Sequence, residues 1–302
     1  DVSSTVSLGK RPRGIHPGPD GKLLYVALSG HPFSPPGIDE STLPPPDKTA
    51  DGVAVLDIRQ NKTVRAISGG SNPEQLALSK DGKLVYVADQ EADGLSTIDL
   101  ASGQVLNTLQ TGEEPEGVTI TPDGKFVFVT SEDEGTITQI DTALAKVVKQ
   151  VKACNHPRTV IPTPDSAHVV IACESDGNIL VMDVTKLEPL QTIVLGKSYK
   201  PMGMALTKDG TTLYVTTGRA KTLFAIDLPV ARIQYSISLP GARSWGLALS
   251  PDERLLFTAN GPSHDVSVID IAAHKVVKNI KAGTLPWGVI AVALTDPQPR
   301  VR

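Results

Sequence analysis

The apolar positions of this chain fall in short runs of five or six residues, bounded by Asp-Gly turns. In "NPEQLALSKDGKLVYVADQEADGLSTID" (72–99) an apolar stretch follows a proline and breaks at a turn. It resumes as "LVYVA", breaks again, and returns in a third run ending in "ID". Alternating or continuous apolar runs of this length, separated by turn residues, predict β-strands; the 3.6-residue spacing of an amphipathic helix is absent. A fourth, more polar strand follows, as in "KVVKQV" (146–151).

The same pattern recurs along the chain. "EPEGVTITPDGKFVFVTSEDEGTITQID" (114–141) aligns with 72–99 without a gap, and further copies occupy 156–183, 200–227 and 243–270. A first copy starts at "RPRGIHPGPDGKLLYVAL" and resumes at "DGVAVLDI". The closing aspartates are Asp57, Asp99, Asp141, Asp183, Asp227 and Asp270, at spacings of 42, 42, 42, 44 and 43. Four strands in a unit of about 40–45 residues, repeated around the chain, predict an all-β propeller of four-stranded blades. The chain reads as one domain, 1–302.

Inner strands open seven times, at Pro12, Pro73, Pro115, Pro157, Pro201, Ser244 and Pro286. The expectation is therefore seven blades, the last closed by both termini and lacking two middle strands. Residues 1–9 would be its outer strand, and residues before Asp1 would have been trimmed or are invisible. The alternative is six blades and a stray strand. The first copy also carries an insertion within "SGHPFSPPGIDESTLPPPDKTADG" (29–52), which contains six prolines. Such a stretch disfavours helix and central strand and should be a semi-rigid loop.

The diagnostic stretches "LYVAL" (24–28), "VYVAD" (85–89), "FVFVTS" (126–131) and "LYVTT" (213–217), with the opening "P-x-G" and the closing "ID", resemble the YVTN family of propellers. The resemblance implies extracellular scaffolds, cell-surface components or periplasmic binding proteins, one of which binds single-stranded DNA. Similar propellers also include lactone hydrolases and haem-binding propellers of nitrite reductases.

Composition narrows the function classes. With 29 basic and 33 acidic residues the formal charge is −4, which disfavours a general nucleic-acid or anionic-membrane binder. No apolar run approaches a membrane span. The two cysteines, Cys154 and Cys173, lie where both reach one face of the fourth copy's first hairpin, a geometry compatible with a disulfide. A disulfide would suit a periplasmic or extracellular setting. No Cys-x-x-Cys-His, zinc-ligand spacing, G-x-S-x-G or phosphate-cradling motif occurs, so no metal or cofactor is expected. The acidic loops 89–93 and 132–134 lack a calcium-loop pattern. "NKT" (61–63) fits a glycosylation sequon, a common chance match.

In a propeller, loops leading into inner strands share one face with loops between second and third strands. The residue after each opening position is Arg13, Glu74, Glu116, Arg158, Met202, Trp245 and Trp287 in turn. Both tryptophans thus occupy equivalent places. Two readings are open: wedges between blades, or a stacking wall at a ligand mouth. Four of the seven equivalents are charged, which argues for partial exposure.

Loop charges on this face are acidic in copies two and three and basic in five, six and one. They are either ordinary solvated charges or a dipolar mouth. His156, Arg158, Glu116 and Glu74 are the best candidates for an enzyme constellation, and His31 for a haem ligand. The leading expectation is a non-catalytic secreted or periplasmic propeller. It would bind a protein, polymer or small molecule at its channel face, as a subunit or accessory of a larger complex. Single-stranded nucleic acid is a less favoured ligand, and a hydrolase or cofactor-binding oxidoreductase component is the alternative.

Overall fold

The computed structural model describes residues 2–34 and 37–293. The tail "TDPQPRVR", Asp1, and two of the insertion's prolines, Pro35 and Pro36, lie outside the described residues. Among those described, the chain forms six four-stranded antiparallel sheets, each a meander in chain order. The blades span 12–68, 73–110, 115–152, 157–194, 201–238 and 244–281.

Blade one illustrates the rest: β1 (Pro12–Pro17) and β2 (Leu23–Leu28) form the inner hairpin, then β3 (Gly52–Asp57) and the outer β4 (Lys62–Ser68). Second and third strands are buried on both faces because blades stack face to face. The core is correspondingly a series of layers between successive blades. One holds Val55, Leu76 and Val87 between blades one and two; another holds Phe128, Ile171 and Met182 between three and four. Outer strands are largely exposed, and those of blades three and six are lysine-rich, as in "KVVKQVK" (146–152), which discourages edge-to-edge pairing.

The expectation of seven blades is corrected by this topology. An inner segment becomes a blade only when neighbouring strands take up its backbone groups. Residues 285–293 form no strand, and neither do residues 2–9. The difference is felt in the core. Phe128 is fully buried, whereas Phe257, its counterpart in blade six, is half-buried because no further sheet packs on that side. On blade one's outward face, Leu8 and Ile15 pack over Val26, Leu28 and Ala54.

The insertion runs between β2 and β3 and contains two short 3-10 turns, η1 (Glu40–Thr42) and η2 (Lys48–Ala50). Its return is fixed at Gly30, where a side chain would collide with the Asp47 carbonyl. The Asp47 N–H donates to the Gly30 carbonyl at 2.9 Å.

Candidate functional site

The residue after each opening position is aimed by a repeated backbone irregularity. In all six sheets the register of the inner strand shifts there, for example between Pro12 and Ile15 and between Pro201 and Met204. A bulge of this kind re-aims a side chain and bends the strand. The residue before the opening position is left-handed every time: Arg11, Asn72, Glu114, His156, Lys200, Arg243 and Leu285 all have φ between 33 and 55°. Together these features give the start of every inner strand the same local geometry.

The inner ring closes through glycines. A Cβ on Gly14 would stand 2.8 Å from the Glu74 carbonyl oxygen, one on Gly203 2.7 Å from that of Trp245, and one on Gly246 2.8 Å from that of Trp287. Gly288 in turn faces the Arg13 carbonyl at 3.0 Å. The segment around Trp287 therefore sits between β21 (Ser244–Leu249) and β1, although it is not a strand.

Side chains on this ring are paired with one another. Arg13 forms an ion pair with Glu74, and the two are 9% and 0% exposed. The Arg13 Nε and Nη1 and the Glu74 Oε1 find no hydrogen-bond partner. Burial, only partly offset by Arg13 and reinforced by the charge of Glu116, pushes the Glu74 carboxyl up to about 7. The Arg13 guanidinium also lies 4.9 Å from the centroid of the Trp287 ring, within cation–π range.

Arg158 is encircled by carboxylates. Its Nη1 lies 2.9 Å from Glu116 and 2.6 Å from Glu132, and its Nε donates to Glu174 at 2.7 Å. His156 Nδ1 stands 3.0 Å from the far oxygen of Glu132. Burial acts to raise Glu116, but Arg158 and Arg13 outweigh it and hold the carboxyl below its ordinary value. Glu132 moves the other way, to about 8, through burial and then the charge of Glu116. Burial acts to lower Arg158, yet its three carboxylates raise it further above its already high value. Glu116 and Glu132 are thus pushed in opposite directions although they share one guanidinium.

The remaining predicted residues stand outside that network. Trp245 is half-buried and packs against Gly261, where any side chain would overlap the indole. Met202 is buried with its sulfur against Gly218. His31 is held at the rim of blades one and two, its Nε2 donating to Glu91 at 2.9 Å. The two cysteines form the disulfide Cys154–Cys173, with Cα atoms 5.8 Å apart.

Glu132 and Glu174 are legible in the sequence as loop charges, but not as partners of Arg158. Each directly follows a second strand, β10 (Phe126–Ser131) and β14 (His168–Cys173), and that shared repeat position is the signal that places them. Asp51 and Asp89 serve loops rather than the mouth. Asp51 accepts from the N–H groups of Gly30 and Asn72, and Asp89, buried and pushed up to about 6, accepts from Ser71. Among the described residues no group of three or more His, Cys, Asp or Glu is placed to hold a metal ion.

Residues 47–169 match the family model of YNCE-like beta-propellers. This chain is a β-propeller. It is similar in structure to hydrazine synthase of Kuenenia stuttgartiensis, with a TM-score of 0.79 and 19% identity. The likeness covers 96% of this chain and 91% of that one, and at such identity it is a likeness of fold. No curated protein matches the chain. The YVTN-repeat resemblance is consistent with both matches. Among the described residues, no helix of this propeller is long and apolar enough to cross a membrane.

Proposed function

We propose that this propeller is a non-catalytic binding protein of an oxidising compartment, taking a protein, polymer or small ligand at the face built by Arg13, Arg158, Trp245 and Trp287. The observation that carries this reading is the state of both indoles. Each has one side packed, Trp245 on Gly261 and Trp287 on Arg13, while each remains partly exposed beside the charged ring. A rigidly backed, partly exposed aromatic beside fixed charges is a recognition surface. The disulfide supports the compartment.

Trp245 and Trp287 are the only tryptophans in the chain, so selectively excited tryptophan fluorescence reports on this face alone. Titration with oligosaccharides, charged peptides and single-stranded oligonucleotides should give a saturable change with one class. Calorimetry on the Trp245→Ala/Trp287→Ala variant should then show binding lost while cooperative unfolding is kept. A folded wild type that responds to none of them would count against the mouth.

The enzyme reading retains one supporting observation: Arg158, Glu116, Glu132 and His156 meet in one cluster with a shifted carboxyl, the kind of site that serves acid–base chemistry. Hydrolysis of a lactone panel that disappears in Glu132→Gln would favour it over binding.

A further inference from the structure

His264 fastens the segment that carries Trp287 to blade six. Its carbonyl accepts from the Ala282 N–H at 2.9 Å, and its Nδ1 accepts from the Leu285 N–H at 3.0 Å. A backbone N–H can only donate, so this second bond exists only while Nδ1 carries no proton. Leu285 stands two residues before Trp287. The loop that ends at His264 also backs the other indole, since its Gly261 lies against Trp245.

The same fastening recurs in the repeat with different chemistry. The residue directly before a third strand takes the N–H directly before the next opening proline. Asp51, before β3, accepts from Asn72 at 3.1 Å, and Asp93, before β7 (Gly94–Asp99), accepts from Glu114 at 3.4 Å. His264 holds that place before β23 (Asp265–Asp270), and it shares the left-handed backbone of Asp93, with φ of 57 and 49°. A carboxyl group keeps an acceptor oxygen in either protonation state, whereas Nδ1 has one lone pair and loses it to a proton. Of these three bonds, the histidine bond is the one that a proton breaks.

We propose that His264 is a pH-sensitive latch on the indole face: the neutral imidazole holds the Trp287 segment, and the protonated one releases it. Imidazoles change charge between pH 5 and 8, so release falls in that interval. The elements around His264 carry Asp265 and Lys281, opposite each other in β23 and β24 (Lys275–Lys281), and Arg243, whose carbonyl takes the Gly261 N–H. Residues 282–288 have no titratable side chain. Beyond Trp287, Glu74 is paired with Arg13 and, at about 7, titrates in the same interval. Control of ligand binding by this latch rests on the indoles being the binding face; the latch itself does not.

The test is hydrogen exchange of the ligand-free full chain between pH 8 and pH 5, read by mass spectrometry and corrected for the intrinsic pH dependence of exchange. Protection of the Leu285 amide should fall by about five- to tenfold towards pH 5, the worth of one hydrogen bond, while the Asn72 and Glu114 amides keep theirs. His264→Asp, the residue of the other two copies, and His264→Asn should hold the segment at both pH values. His264→Ala should leave it loose at both, and Glu74→Gln should leave the fall in place. Constant protection in the wild type, the same fall in His264→Asp, or a parallel fall at Asn72 and Glu114 would each overturn the proposal. No ligand enters this measurement, so failure of the binding reading would leave its result unchanged.

Discussion

Trp287 lies over the Arg13 guanidinium, 4.9 Å from ring centroid to charge centre, and so joins the segment after the last blade to the first strand of the first blade. The same guanidinium is buried against Glu74. Removing the indole should loosen ring closure as well as expose the ion pair. Trp287→Ala should destabilise by about 2–4 kcal/mol, from lost burial and about 1 kcal/mol of cation–π attraction, and Trp287→Phe by less. Urea unfolding monitored by circular dichroism measures both.

Arg158 compensates three carboxylates at once. Arg158→Met leaves them facing each other, and breaking a buried pair in this way costs about 3–5 kcal/mol. The loss should shrink as pH is lowered and the carboxylates take up protons. Denaturant midpoints at pH 5 and pH 8 give the comparison, and an equal loss at both would contradict the assignment.

Glu74 and Glu132 have folded-state values of about 7 and about 8, above the ordinary 4.5. Between 4.5 and those values the folded state holds protons that the unfolded chain has released. Their contribution to stability is fully present below pH 4.5 and is lost as pH rises through 7 to 8. Thermal unfolding should therefore move to lower temperature between pH 5 and pH 8. Glu132→Gln should flatten that slope by removing one of the two groups.

The Cys154–Cys173 bridge closes a loop of 19 residues between the approach to β13 (Pro157–Pro162) and the end of β14. A loop of this length is worth about 3 kcal/mol through the unfolded chain. Adding reductant, or replacing both residues by serine, should lower the unfolding midpoint accordingly. Glu174 directly follows Cys173 and pairs with Arg158, so losing the bridge should also change the pH dependence of stability.

Gly261→Ala tests the other indole. A methyl there collides with the Trp245 ring, so the variant should lose as much stability as Trp245→Ala, about 2–4 kcal/mol. Double-mutant analysis should show the two changes to be strongly non-additive.

Strand positions were legible because each is written locally: apolar run, Asp-Gly turn, opening proline. That Arg13, Glu74, Glu116, Arg158, Met202, Trp245 and Trp287 share one ring was legible too, since the repeat carries its own register. Seven openings suggested seven blades. The count failed because residues 286–293 form no strand and, among the described residues, no second or third strand follows to make a sheet with them; sheet formation is a property of the pair.

The sequence by itself determined the repeat, the strand order within each blade and the one equivalent residue per copy that follows the opening position. These depend on turn chemistry and hydrophobic period over a few residues. Only the tertiary structure decided that Arg13 takes both Glu74 and Trp287, that Arg158 gathers Glu116, Glu132 and Glu174, and that His31 goes to Glu91 beside the proline-rich insertion. Those partners come from different blades, brought together by ring curvature and by the bulge in each inner strand, and no local pattern encodes either.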